Sequence, residues 1–465
     1  MRRYTLHAGD CRDVMRDYPA DHFDSIVSDP PYGLSFMGKG WDRGVPGEEF
    51  WREALRVAKP GAHLLAFGGS RTFHRLTVAI EDAGWEIRDV VCWLYGSGFP
   101  KSLDVSKAID RAAGAEREVV GPSRHNVAAR FKMGAPDFEH DHGKYSAVVH
   151  APVTAPATAD AQQWSGWGTA LKPAWEPVIV ARKPLVGTVA ANVTQYGTGA
   201  INIDGCRIGI DPTDKWAQGV TFVNSSEWAP GSPPTRGDVT AKAHAAGRWP
   251  ANVMHDGSDE VVAGFPTTGS SGDGSPRLAY GIGGTGSGAY HGGGKGAMVG
   301  TYGDSGSAAR FFYCAKASRT DREEGCDHLP GYQGHEVVER KEGSAGLNSP
   351  RAGAGRTITD VREFGGAQHT ADVQLAKNFH PTVKPTDLMR YLARLVTPPD
   401  GLLLDPFMGS GSTGKGALLE GFRFVGIDLD PAHVAIAEAR CQFAVDTVDA
   451  EAAAAEAPGA QLALF

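Results

Sequence analysis

The chain has 465 residues, 41% of them hydrophobic and 22% charged, with a formal net charge of −8 at pH 7. That is enough apolar material for one or two domains, and with no N-terminal basic–apolar segment or long apolar run the expectation is a cytoplasmic protein, neither exported nor membrane-spanning. Its six cysteines (Cys11, Cys92, Cys206, Cys314, Cys326, Cys441) are scattered with no Cys-x-x-Cys pair, which points to a reducing compartment and excludes a zinc site from the expectation.

In chain order, Tyr4 to Asp10 reads as a first strand and Asp24 to Asp29 as a second, running into Asp29-Pro30-Pro31-Tyr32. Asp-Pro and Pro-Pro also punctuate ordinary loops. Chemically, though, a carboxylate, two rigid prolines and an aromatic ring suit an exocyclic amino group on a flat base. The Asp29 carboxylate and a main-chain carbonyl held by the prolines can each accept one amino hydrogen, which frees the nitrogen lone pair. Tyr32 can stack on a base flipped out of its duplex. The loop 33–42, with Phe36, Lys39 and Trp41 among glycines, is expected either to close over that base, Lys39 near a phosphate, or to pack locally. A helix over 50–58, a strand over 63–67, a helix over 71–83 and a strand over 85–94 follow, an alternation that predicts an α/β sheet.

After a short helix near 104–112 the pattern weakens. Residues 121–165 read as an excursion, and a strand at 175–181, within 166–185, is expected to be the last of the sheet. Residues 186–375 break into short stretches, and 268–308 is glycine-rich enough to be a long loop. Trp216, Trp228, Trp249, Tyr196 and Tyr313 are candidates for base contacts, although buried aromatics mostly fill core. His140, His142 and His150 lack the Cys or acidic partners of a metal site; no metal is expected.

Residues 386–396 form a helix after His380-Pro381-Thr382-Val383-Lys384-Pro385. Leu402 to Asp405 reads as a buried strand, then come the turn Pro406-Phe407-Met408-Gly409-Ser410-Gly411, a helix over 413–419, a strand over 422–427 ending at Asp428, a helix over 432–444 and an acidic Ala-rich tail, 446–465. Gly409, Gly411 and Gly414 satisfy G-x-G-x-x-G, and an acid ending the next strand suits a ribose, so a dinucleotide enzyme is one reading. Gly409 to Lys415 nearly makes a P-loop, but Gly416 stands where the metal-binding Ser or Thr belongs. Too little chain follows Asp428 to complete a doubly wound sheet. The remaining strands must come from the N-terminus, so the expected fold is a circularly permuted Rossmann-like α/β sheet.

The order, with Asp-Pro-Pro-Tyr first and the glycine turn last, resembles the amino-group DNA methyltransferases of the β arrangement. Four blocks carry the resemblance: Gly9-Asp10, Asp29 to Tyr32, His380 to Pro385, and Asp405 to Gly414. It implies a fold in which residues 1–120 form the catalytic part, 186–375 an inserted irregular target-recognition region and 376–445 the cofactor-binding part. It implies S-adenosylmethionine as methyl donor. Asp405, Pro406, Phe407, Gly409 and Gly411 would wrap its methionine portion, Asp428 its ribose and Asp10 its adenine, with Thr382 and Lys384 facing its carboxylate at a helix N-terminus. Asp29, Pro30, Pro31 and Tyr32 would be catalytic. The strings Gly247 to Asn252 and Ala309 to Cys314 resemble segments of phage-type members. No cysteine follows a proline, so the nucleophile of cytosine C5 enzymes is absent.

The expected activity is therefore methylation of adenine N6 in double-stranded DNA. Cytosine N4, a structured RNA, and a non-catalytic DNA-binding protein are the alternatives. A separate restriction nuclease is a possible partner, and the oligomeric state is open. A charge of −8 is unusual for a DNA binder; Arg182, Lys183, Arg248, Lys316 and Arg319 are the residues from which a basic face would have to be built.

Overall fold

Strands buried on both faces read as continuous apolar runs, and the central strands of this protein do. The computed structural model describes residues 3–34, 44–98, 102–121, 153–210, 220–222, 239–241, 244–268, 277–278, 298–299, 306–315, 319–332 and 377–456. Its sheet strands are β1 (Tyr4–Ala8), β2 (Phe23–Ser28), β3 (Ala58–Phe67), β4 (Glu86–Leu94), β5 (Trp175–Arg182), β6 (Val253–His255), β7 (Tyr313–Cys314), β8 (Leu402–Asp405) and β9 (Arg423–Asp428). Their spatial order is β1-β9-β8-β2-β3-β5-β4-β6-β7. Among these described strands only β5 runs antiparallel to its neighbours. The two C-terminal strands thus sit between β1 and β2 of the N-terminal part.

Alternation along the strands divides the core into two layers. Ile26, Leu64, Ala66, Leu404, Val425 and Ile427 pack with Cys11 and Met15 of α1 (Cys11–Arg16), Trp51 and Ala54 of α2 (Glu48–Val57), and Leu76 and Ile80 of α3 (Phe73–Asp82). Val27, Leu65, Phe67, Leu403 and Phe424 face the other way. They meet Leu388, Met389 and Leu392 of α5 (Thr386–Val396), Ala417 and Leu418 of α6 (Ser412–Leu419), and Ala437 and Cys441 of α7 (Pro431–Glu456). A further short helix, α4 (Arg319–Glu323), precedes α5.

The polar residues of β2 are paired rather than misplaced. Ser25 Oγ lies 2.8 Å from Thr397 Oγ1. Asp24 accepts from Lys59 Nζ at 2.5 Å and from Leu402 N at 2.7 Å, which fixes the β2–β3 and β2–β8 registers.

Four expectations need correction. The strand at 175–181 is not the last of the sheet: β5 lies between β3 and β4, and β6 and β7 extend the sheet beyond β4. Those two are three and two residues long, too short for a period-two pattern. They come from the stretch read as a separate region, yet Trp175–Tyr332 belongs to the same compact unit as the sheet. Strand β3 starts at Ala58 rather than 63, because the Lys59-Pro60-Gly61 turn signal is absorbed as an irregularity, with Gly61 at φ +79. Helix α7 continues to Glu456 where a tail from 446 was expected, as Ala and Glu are strong helix formers.

Among the described residues, a second compact unit comprises 97–98, 102–121 and 153–174. In its described part, buried Asp110 organises helices Val105–Ala112 and Ala159–Gln163: it pairs with Arg117 and accepts from Ala157 N, Thr158 N and Thr158 Oγ1. No helix among the described residues is long and apolar enough to cross a membrane. Residues 36–42, Trp216, Trp228, Lys316, His140, His142, His150 and most of 268–308 lie outside the described residues.

Candidate active site

From β8 the chain crosses to β9 on one side, and from β2 it crosses to β3 on the other. Neighbouring parallel strands whose connections diverge leave a crevice at their carboxyl ends, where ligands bind in open α/β sheets. Both motifs lie there, Asp405 to Gly411 after β8 and Asp29 to Tyr32 after β2. Asp405 to Ser410 and Asp29 to Tyr32 line one cavity of about 830 Å³, together with Asp10, Phe50, Glu176, His380, Thr382, Lys384 and Asp428. This falls within the range of small-molecule sites.

The turn after β8 is built by its own hydrogen bonds. Asp405, 1% exposed, accepts from Ser28 Oγ at 2.6 Å, Thr413 Oγ1 at 2.6 Å and Phe407 N at 3.0 Å. Burial pushes its carboxyl up to about 7 despite those bonds. Both oxygens are therefore engaged by the protein, and Asp405 holds the turn in shape. Gly409 (φ +50) donates its N–H to Asp428 Oδ2 at 3.0 Å, and a Cβ there would come 2.8 Å from the His380 ring. Gly411 (φ +74) faces Ala437 of α7, 2.8 Å from where its Cβ would be. These glycines serve the turn and close helix packing.

Asp428 also accepts from Asp430 N at 2.9 Å and from His433 Nδ1 at 3.1 Å. Burial would raise its pKa, but the His433 contact and backbone N–H outweigh that and hold it below the usual carboxylate value. His380 stacks edge-on against His433, centroids 4.6 Å apart, and burial, then His433, lowers it to about 4. Asp10 caps α1 and is gripped by Arg12, whose Nε is 3.0 Å from Oδ1; that pairing keeps Asp10 low. The Arg12 guanidinium lies 4.5 Å from the Phe50 ring, and Phe50 meets Phe407 at 5.8 Å, forming an aromatic wall.

After β2, the Tyr32 hydroxyl donates to Asp29 Oδ1 at 2.8 Å and lies 3.0 Å from Glu176 Oε2. Lys384 Nζ donates to Asp29 Oδ2 at 2.8 Å and to Tyr32 Oη at 3.1 Å, and sits 3.3 Å from Glu176 Oε2. Burial would depress Lys384, but the two carboxylates outweigh it and hold the ammonium charged, above its usual value. Burial and then the Asp29 charge raise the Tyr32 phenol well above 10. Glu176 is the second residue of β5, a charge near the head of an apolar strand; that was the one signal by which the sequence could have shown it.

The α5 N-terminus does not open onto the cavity as an anion site. Asp321 of α4 occupies it, accepting from Thr386 N at 2.6 Å and from Thr386 Oγ1. Lys384 turns instead to Asp29 and Glu176, and Thr382 is exposed, its carbonyl 3.0 Å from His380 Nδ1. Asp321 also pairs with Lys415 at 2.7 Å, and Lys415 with Glu324 at 2.6 Å. The lysine of the near-P-loop string is thus consumed in a buried ion-pair cluster.

Among the aromatic candidates, Tyr313 stacks on Tyr391 at 3.9 Å and fills core. Tyr196 is half-buried, and Trp249 is 65% exposed with Arg207 at 5.3 Å from its ring. Two of the residues named for a basic face are paired with carboxylates. Arg182 pairs with Glu86 and Lys183 with Asp21, at the end of β5 remote from Glu176.

Residues 311–439 match the family model N6_N4_Mtase, described as DNA methylase. Over that segment the chain is similar to DNA methylases. The matched segment runs from β7 to α7 and includes the glycine turn and Lys384. Among curated relatives, the chain is 48% identical over 50 residues to "Putative methylase YubD" of Escherichia coli (strain K12), covering 11% of this chain and 22% of that protein. It is 40% identical over 68 residues to "Type II methyltransferase M2.DpnII" of Streptococcus pneumoniae, covering 15% of this chain and 25% of that protein. The chain spans about a quarter of the length of these relatives. Among solved structures, the PvuII DNA methyltransferase (cytosine-N4-specific) aligns at TM-score 0.38 and 12% identity, over 95% of this chain and 86% of that one. The M1.HpyAVI–SAM complex aligns at TM-score 0.33 and 11% identity, over 94% and 98%.

Proposed function

We propose that this protein transfers a methyl group from S-adenosylmethionine to the exocyclic amino nitrogen of a base flipped from duplex DNA, with adenine N6 as the target. The observation that carries the reading is that Asp29 to Tyr32 and the turn Asp405 to Gly409 line one cavity at the carboxyl ends of adjacent strands.

The residues fit the cofactor. Phe50 and Phe407 offer an apolar wall for an adenine ring, Asp428 and Asp10 are acceptors for ribose and adenine donors, and net negative charge suits a sulfonium. Bound there, S-adenosylmethionine supplies an electrophilic methyl whose carbon–sulfur bond breaks with its electrons passing to sulfur. Asp29 accepts one amino hydrogen and the Pro30 carbonyl the other, so the nitrogen lone pair is free to form the new carbon–nitrogen bond. Asp29 then takes the proton that the methylated nitrogen sheds. Tyr32 provides the ring for stacking, and the rigid Pro30-Pro31 pair fixes the carbonyl. Asp at the head of the motif favours adenine; members acting on cytosine N4 often carry Ser there.

The test is nucleoside mass spectrometry of unmethylated duplex DNA incubated with S-adenosylmethionine and either the natural chain or Asp29→Ala. N6-methyladenine from the natural chain alone is the expected result. N4-methylcytosine would keep the chemistry and change the base. Cofactor binding with no methylated base would point to RNA or to a non-catalytic role.

A further inference from the structure

The Tyr32 phenol has a single hydrogen, yet two carboxylate oxygens stand within reach, Asp29 Oδ1 at 2.8 Å and Glu176 Oε2 at 3.0 Å. Asp29 is committed on both oxygens, to Tyr32 and to Lys384. Oδ1 keeps a second lone pair, but an amino hydrogen accepted there competes with the Tyr32 hydroxyl and weakens its hold. A half-buried phenol stripped of its acceptor carries a desolvation cost that would oppose base engagement.

We propose that Glu176 is a positioning residue for the amino-group chemistry: it takes over the Tyr32 hydroxyl, and shares the Lys384 ammonium, when Asp29 turns to the base. The inference rests on the function proposed above. The exchange needs only a rotation of the hydroxyl hydrogen, because Glu176 Oε2 is already at hydrogen-bond distance. Lys384 likewise keeps an anionic partner, 3.3 Å away, throughout. Glu176 cannot retreat, since β5 lies between β3 and β4 inside the sheet, where Glu176 pairs in register with Trp93. Tyr95, just beyond β4, hydrogen-bonds to Glu176 as well, and burial and then the Glu176 charge push its phenol up to about 12. Glu176 therefore makes Asp29 exchangeable without leaving a polar group orphaned.

The experiment compares the natural chain, Glu176→Ala and Glu176→Gln by radiolabelled methyl transfer to unmethylated duplex DNA, with S-adenosylmethionine affinity measured separately by calorimetry. Glu176→Ala is expected to lower kcat at least tenfold with cofactor affinity within threefold. Glu176→Gln, which keeps an acceptor oxygen for Tyr32, is expected to recover part of that loss. Unchanged kcat in Glu176→Ala, or a loss matched by lost cofactor affinity, overturns the proposal. A Tyr32→Phe and Glu176→Ala double-mutant cycle on the urea midpoint is the second measurement: coupling supports the contact and strict additivity overturns it. Absence of methyl transfer by the natural chain would instead defeat the underlying function, and the cycle still decides the role of Glu176.

Discussion

Lys384 places its ammonium 2.8 Å from Asp29 Oδ2 across 355 positions of sequence, and at 7% exposure it is the one cation in direct contact with Asp29 among the described residues. Removing it leaves two carboxylates facing each other in a low-dielectric pocket. Breaking a buried pair by deleting one partner costs roughly 3–5 kcal/mol. Lys384→Met is therefore expected to lower the urea midpoint by that equivalent, and Lys384→Met with Glu176→Gln to recover part of it. An unaltered midpoint in the single variant would show the pair to be solvated.

The pH dependence of stability carries two opposed contributions. Asp405, with its carboxyl raised from 3.8 to about 7, holds a proton that the unfolded chain releases, so its contribution falls as pH rises between those values. At about 1.4 kcal/mol per unit, that amounts to at most about 4 kcal/mol. His380, lowered from 6.5 to about 4, stays neutral while the unfolded chain takes up a proton, so its contribution is lost as pH falls through that window. Against the natural chain, Asp405→Asn should tilt the stability profile between pH 4 and 6.5 upward with pH, and His380→Gln should tilt it downward. Denaturant titrations at stepped pH read both slopes, and equal slopes in all three proteins would refute both assignments.

Gly411 is needed for two independent reasons, its φ of +74 and the 2.8 Å approach of Ala437. Gly411→Ala should cost about 1–3 kcal/mol from backbone strain alone, with helix displacement adding to it. Thermal unfolding measures the loss. Gly421→Ala, at φ +82 with nothing within 4 Å of the new methyl, isolates the backbone contribution.

Asp321 joins α4 to α5, α6 and α7 through Thr386, Lys415 and Arg440. Asp321→Ala strands Lys415, 1% exposed, and Arg440, fully buried, with fewer anionic partners. A destabilisation of roughly 3–5 kcal/mol is expected. Limited proteolysis should cut near 319–332 earlier than in the natural chain, whereas an unchanged digestion pattern would show that α4 is held by other contacts.

The sequence by itself determined the alternating strands and helices at both ends, the two motifs, and the need for the C-terminal strands to pair with N-terminal ones. These follow from local signals: apolar runs in β2 and β8, helical spacing of Trp51, Ala54 and Val57, and glycines where φ turns positive. The tertiary structure decided which partners the polar groups found. Glu176 reaches Tyr32 across 144 positions, and Asp321 fills the helix end that appeared free for a ligand. It also decided that β6 and β7 extend the sheet, because strands of two or three residues have no period to read and exist only through the edge they pair with. Local patterns encode conformation and burial; the identity of a partner depends on where the sheet brings distant residues together, and no local pattern holds that.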